Sequence, residues 1–295
     1  MNTKEKRIEI IKLVVVYVII LAAMIAVSNG VFWGAYLLGF EMPMIASAIL
    51  NELAIIIPTL VFIKLKGDKI LDSLGFHSIR PSTIFLSLLL ALLSVPVYSC
   101  ANAFSQFFVP NVMAQATSEL STTAGISTII VTLMAPLAEE IVFRGFFARR
   151  FNILIGLGFA TVISAIMFGV CHMNINQFCY ALVLGIIFAL ADYAADSIWP
   201  SIIMHMAINA FGIAVLFLSN AAVEAAGMDF GEAAETARTT GNTILYVFIV
   251  TGIMTVFCVF LIRLVLRAIA KRQNNEAAIA TFSSKKDKVQ QLKEA

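Results

Sequence analysis

Charge is what this 295-residue chain has least of: 20 Lys and Arg plus 18 Asp and Glu make up 13% of it, against about 25% in a soluble domain. The net charge of +2 leaves no dense positive surface, so no nucleic-acid partner is expected. Cysteine is scarce and unpatterned. Cys100, Cys171, Cys179 and Cys258 form no CxxC pair and lie in or beside apolar runs, which reads as four buried small hydrophobes. Familiar catalytic patterns are missing too. There is no HExxH zincin motif and no phosphate-cradling P-loop, and no GxSxG nucleophile elbow. The stretch Gly156-Leu157-Gly158-Phe159 lacks the aspartate an intramembrane aspartyl protease would need. No internal repeat with broken helices in both halves supports a secondary transporter.

What the chain has in abundance is apolar sequence, 60% of its residues, with a mean hydropathy of +0.94. A membrane span needs about 20 largely apolar residues. Runs of that kind lie at Ile10–Leu38, Met44–Ile63, Thr83–Phe104, Ile126–Phe147, Leu154–His172, Phe178–Ala195, Ile198–Leu218 and Thr243–Leu266. The expected fold class is therefore all-α, a polytopic membrane protein of about eight transmembrane helices around an intramembrane catalytic cavity. The first run is long enough to tilt, or to break near Asn29-Gly30. The segment Ser105–Gly125 is too polar to span and is expected to lie along the outer surface. The basic start (Lys4, Lys6, Arg7, Lys12) precedes an apolar run with no small-residue cleavage site, so it reads as a retained signal-anchor.

Lysine and arginine orient such a chain. With both termini cytoplasmic, the inner segments hold the N-terminal cluster, Lys64, Lys66, Lys69 and Arg80, then Arg144, Arg149 and Arg150, and the C-terminal basic residues. Only Arg238 falls outside, among Glu224, Asp229, Glu232 and Glu235. The expected location is the cell membrane, multi-pass, and the short loops and basic tails are bacterial in style. Residues 1–272 form the expected membrane domain, with a core at about 126–215. Residues 273–295 form a polar cytoplasmic tail, flexible or a frayed helix.

Against this apolar background, three short pieces stand out: Glu139-Glu140-Ile141-Val142-Phe143-Arg144, Phe168-Gly169-Val170-Cys171-His172, and His205-Met206-Ala207-Ile208-Asn209. A charged side chain at membrane depth costs about 2.5–3.5 kcal/mol on insertion scales, which makes a functional reading the default. Glu140 and Arg144 are four apart and share a helical face. Glu139 points about 100° away, so one carboxylate can pair with the arginine while the other stays free. Phe168 shares a face with His172 and can wall a pocket. His205 and Asn209 share a face as well, and the amide can orient an imidazole, hold a water or donate to an oxyanion. By rise per residue, Glu140 lies about 14 Å from Arg149 and His205 about 13 Å from Asp196. His172 would sit deeper, so the turn at Asn174–Gln177 is expected to dip into a cavity, the place where irregular backbone is tolerated at depth. Asn51 and Glu52 could line that cavity, pair with Arg144, or serve as interhelical glue. Asp192 and Asp196 fall near a membrane end where solvation is cheap, and His77 in a basic loop, so none of these is a leading site candidate.

The three pieces, in this order, resemble the CPBP family (CAAX proteases and bacteriocin-processing enzymes, also called ABI), whose pattern runs EExxxR, FxxxH, then HxxxN or HxxxB. Phe143-Arg144-Gly145 and the run from Gln177 through Trp199-Pro200-Ser201 to His205 fit as well, and the resemblance covers about Ala135–Phe211. It implies a membrane endopeptidase related to type II CAAX prenyl endopeptidases, with Glu139, Glu140, Arg144, His172, His205 and Asn209 as its catalytic set. In that reading Glu140 activates a water, assisted by His172. His205 and Asn209 stabilise the oxyanion, and Glu139 and Arg144 shape and charge-balance the site. Glu140, His172 and His205 are also acceptable zinc ligands, so zinc and a metal-free glutamate mechanism both stay open. The partners implied are the lipid bilayer and a peptide or membrane-protein substrate. The alternative is a non-proteolytic membrane partner that keeps the fold, acting in bacteriocin self-immunity or on a membrane sensor kinase.

Overall fold

The computed structural model describes residues 1–39, 44–111, 126–228, 233, 236 and 242–283. Among them all regular structure is helical. The long helices are α1 (Thr3–Leu38), α2 (Met44–Lys66), α4 (Pro81–Gln106), α8 (Ile175–Ala195), α9 (Trp199–Ala225) and α10 (Asn242–Arg272). Shorter ones are α3 (Ile70–Leu74), α5 (Ile126–Glu140), α6 (Arg149–Ile155), α7 (Leu157–Cys171) and α11 (Glu276–Phe282), and a π-helical stretch, Ile141–Ala148, joins α5 to α6. Six helices are long and apolar enough to cross a membrane, and α7 is a shorter apolar one. The chain is an all-α polytopic membrane protein. The fourth expected span, Ile126–Phe147, is helical but split between α5 and the π stretch.

Two apolar cores hold the helices together. One gathers Leu13, Val16 and Ile20 of α1, Ile55 and Ile63 of α2, and Phe143, Phe146, Phe147 and Phe151. The other joins Leu90 of α4, Leu184 and Phe188 of α8, Met204 of α9 and Ile262, Leu266 and Ile269 of α10. Apolar side chains facing outward, such as Phe85, Phe159, Ile253 and Val256, are largely exposed, as lipid-facing positions must be when no interior claims them.

Two expectations are sharpened. α1 does not break at Asn29-Gly30: it runs unbroken to Leu38, and the Asn29 amide donates to the Ile25 carbonyl one turn back. Part of the expected tail is folded. α11 packs Ala278 and Phe282 into the second core, and Arg263 donates to the Phe282 and Ser283 carbonyls. Residues 284–295 lie outside the described residues. So do residues 112–125 of the expected outer surface segment and the acidic-basic loop at Asp229, Glu232, Glu235 and Arg238.

Candidate active site

Three helical pieces are locked at one end of the bundle before any site residue is placed. Arg149, at the start of α6, donates to Asp196 at 3.0 Å, the residue that caps α8 in a left-handed conformation. His77 Nδ1 sits 2.6 Å from the Asp196 carbonyl, and the Ser197 hydroxyl donates to the His77 carbonyl. From this pinned end, nine positions separate Glu140 from Arg149 (149 − 140 = 9) and nine separate Asp196 from His205 (205 − 196 = 9). Equal distances from a common pin bring Glu140 and His205 to the same depth. There His205 Nδ1 is 2.7 Å from Glu140 Oε1.

The π stretch sets the angle of approach. Such stretches are rare and recur at functional sites. Gly145 stands in its middle because a Cβ there would be 2.9 Å from Ile198 Cδ1 and 3.0 Å from the Leu74 carbonyl oxygen. Arg144 points inward and is 1% exposed. Its Nη1 donates to Glu140 Oε1 at 3.1 Å. Its guanidinium lies 4.2 Å from the centre of the Phe168 ring and 5.2 Å from that of Phe188, so two aromatic π-systems replace part of the lost hydration. Gly185 makes room for it, since a Cβ there would meet Arg144 Nη2 at 2.9 Å.

Glu140 is fully buried. Its Oε1 accepts from both Arg144 and His205, and its Oε2 has no partner in the protein. Glu139 is less enclosed, 19% exposed at its side chain, with His205 Nε2 at 3.6 Å from its Oε2. One imidazole thus stands between the two adjacent carboxylates. The sequence reading anticipated one paired and one freer glutamate, but not that His205 would link them.

Phe168 is the wall expected of it. The rings of His172 and His205 lie edge-on to it at 4.8 and 5.9 Å. His172 Nδ1 is 3.0 Å from the Phe168 carbonyl. A carbonyl only accepts, so Nδ1 carries the proton, and in a neutral ring Nε2 keeps the free lone pair. The polar turn after it is satisfied only in part, because the buried Oδ1 of Asn176 has no hydrogen-bond partner. Asn174 accepts from the Gln177 amide, and Asn176 donates to Asn102 and Ser105 of α4. Asn209 lies one turn beyond His205 on α9 and is half-buried.

The remaining polar residues divide. Asn51 is interhelical glue, accepting from Ser28 of α1. Glu52 does not pair with Arg144; its Oε2 has no partner, and its carboxyl interacts electrostatically with Glu139. Asp196 is an exposed clamp residue. Asp192 is not the solvated residue its position suggested: it is 7% exposed, with Oδ1 accepting from the Ser201 amide. Packing of α8 against α7 and α9, invisible in a linear chain, removes it from water. No group of three or more His, Cys, Asp or Glu among the described residues is placed to hold a metal ion.

All six candidate residues fall within residues 121–211, which match the family model described as type II CAAX prenyl endopeptidase Rce1-like. Over this stretch, less than half of its length, the chain is similar to the Rce1-like domain of type II CAAX prenyl endopeptidases. A relative from Bacillus subtilis (strain 168), named "Putative membrane peptidase YdiL", is 28% identical over 83 residues. That stretch is 28% of this chain and 34% of the relative, so the chain spans about a third of the curated protein it matches. No solved structure matches the chain.

Proposed function

We propose that this chain is an intramembrane endopeptidase that hydrolyses a peptide bond near the inner membrane face, using a water activated by Glu140. The observation that carries this reading is the buried Oε2 of Glu140, left without a partner beside an oxygen that already accepts from Arg144 and His205. Buried polar atoms in folded proteins are rarely unpaired, and this one is where a nucleophilic water would bind. The similarity to the Rce1-like domain and the peptidase-named relative support the same class of reaction.

In this mechanism the water hydrogen-bonds Glu140 Oε2, and the free Nε2 of His172 helps orient it. As the water oxygen attacks the carbonyl carbon, its proton passes to Glu140. Asn209 donates to the developing oxyanion. The C–N bond then breaks, and the proton held by Glu140 goes to the leaving nitrogen. His205, between the two glutamates, spreads the charge change over both, and Arg144 keeps Glu140 from being an uncompensated buried anion. Glu140, His172 and His205 do not form a three-ligand cluster, and no step runs through zinc. Turnover is expected to survive a zinc chelator.

The test is cleavage of a fluorogenic peptide library by the purified protein in liposomes. Glu140→Gln is expected to lower kcat by about 10²–10⁴-fold, the usual contribution of a positioned acid or base. Biological activity that survives in Glu140→Gln, with no peptide cut by the unsubstituted protein, would replace this reading with that of a membrane binding partner.

A further inference from the structure

Behind the Glu140–Arg144 pair lies a cavity of about 250 Å³ that the mechanism above does not use. Its walls come from the π stretch, α6, α7 and α8, and Arg144 is among its lining residues, together with Thr161 and Asp192. Glu139, Glu140, His172, His205 and Asn209 are not. At its far side stand Arg149 and the exposed Asp196. The cavity therefore runs from the pinned end of the bundle to the back of the arginine that holds Glu140.

Three of its lining side chains have buried polar atoms without a partner in the protein: Arg144 at Nε and Nη2, Thr161 at Oγ1, and Asp192 at Oδ2. These come from three different helical segments and include two donors of fixed charge, one hydroxyl and one carboxylate oxygen. Direct bonds among them are not formed, and a buried polar atom left unpaired is destabilising. The walls carry two cations, Arg144 and Arg149, and two anions, Asp192 and Asp196. Such a balanced lining selects neither an anion nor a cation. It suits water, and the volume holds several molecules with polar partners on opposing walls.

We propose that this cavity is a hydrated vestibule in which water bridges Arg144 to Asp192 and Thr161, and that Asp192 is a positioning residue for Glu140, acting through Arg144. The inference rests on the peptidase reading for its effect on turnover but not for the water. The bridge fixes the unpaired edge of the guanidinium, while its other edge holds Glu140 Oε1. A carboxylate facing that edge also balances the second half of the arginine's charge, so that Glu140 need not neutralise it alone.

Two measurements on the protein in liposomes separate the parts. In the first, Thr161→Cys is treated with a small hydrophilic methanethiosulfonate, with Phe159→Cys on the outward face of α7 as the lipid-facing control and the unsubstituted protein as the background. Thiolate forms only where water reaches, so Thr161→Cys is expected to react at least about tenfold faster than Phe159→Cys. Adding the cavity-filling Ala189→Leu is expected to remove the difference. Equal rates at the two positions would mean a dry cavity and overturn the proposal, whatever the peptide assay shows. In the second, Asp192→Asn keeps the side-chain oxygen that accepts from Ser201 but loses the charge. It is expected to lower kcat by about ten- to a hundredfold with KM and melting temperature unchanged. An unchanged kcat would overturn the positioning role. Absence of turnover in the unsubstituted protein would remove the peptidase reading and Asp192's part in it, and the labelling contrast would still decide whether the vestibule is wet.

Discussion

Glu140, Arg144 and His205 hold one another inside the protein, while His172 and Asn209 sit half-buried and loosely held. The first group is tied by contacts of 2.7 and 3.1 Å and stacked on Phe168 and Phe188. In the second group, His172 is anchored only through its own helix, and Asn209 has no side-chain hydrogen bond among the described residues. The contrast teaches how ionisable and amide groups can be held in an apolar bundle. Charge is kept where it is mutually compensated and walled by aromatics, and the groups proposed to meet a substrate are only half-buried.

Breaking the closed half should cost stability as well as activity. Arg144→Leu leaves Glu140 buried and unpaired, and is expected to lower unfolding free energy by about 3–5 kcal/mol, read by denaturation in detergent. Combining it with Glu140→Gln should recover much of that loss, which tests whether the penalty belongs to the stranded carboxylate. The open half should behave differently. Asn209→Ala is expected to reduce kcat by about 10²-fold, as removal of an oxyanion donor does, with an unchanged melting temperature; a fall in both would place Asn209 in the closed half. Gly185→Ala sharpens the comparison, because its Cβ would press on Arg144 Nη2. A loss of about 1–3 kcal/mol is expected from overpacking, with lower activity and no polar group removed. The smallest effect should come from Asn51→Ala, at about 0.6 kcal/mol for a lost interhelical hydrogen bond and with unchanged turnover.

Much of the first half of this comparison was legible in the chain. The four-residue spacing of Glu140 and Arg144 predicts their pairing, and the same spacing predicts Phe168 walling His172, because helical geometry is local. The bridging role of His205 was not legible. It depends on α9 being pinned to α6 through Arg149 and Asp196, a contact 47 residues apart. Asp192 misled for the same reason. Distance along a span suggests solvent, but lateral packing decides burial. The folded α11 was hidden because its seven residues are too few to show a helical period, although Ala278, Phe282 and the half-buried Ile279 turn toward the core.

Sequence alone determined that this protein lives in a membrane as a bundle of helices, and which acid, base and amide groups its interior must accommodate. Both follow from the cost of exposing backbone or charge to lipid, a cost each segment meets by itself. Only the tertiary structure decided which carboxylate is enclosed, which imidazole joins the pair, and that a polar cavity stands behind Arg144. Those are relations between helices, set by side-chain volume and by where glycine lets two backbones meet, and no periodicity within one helix encodes them.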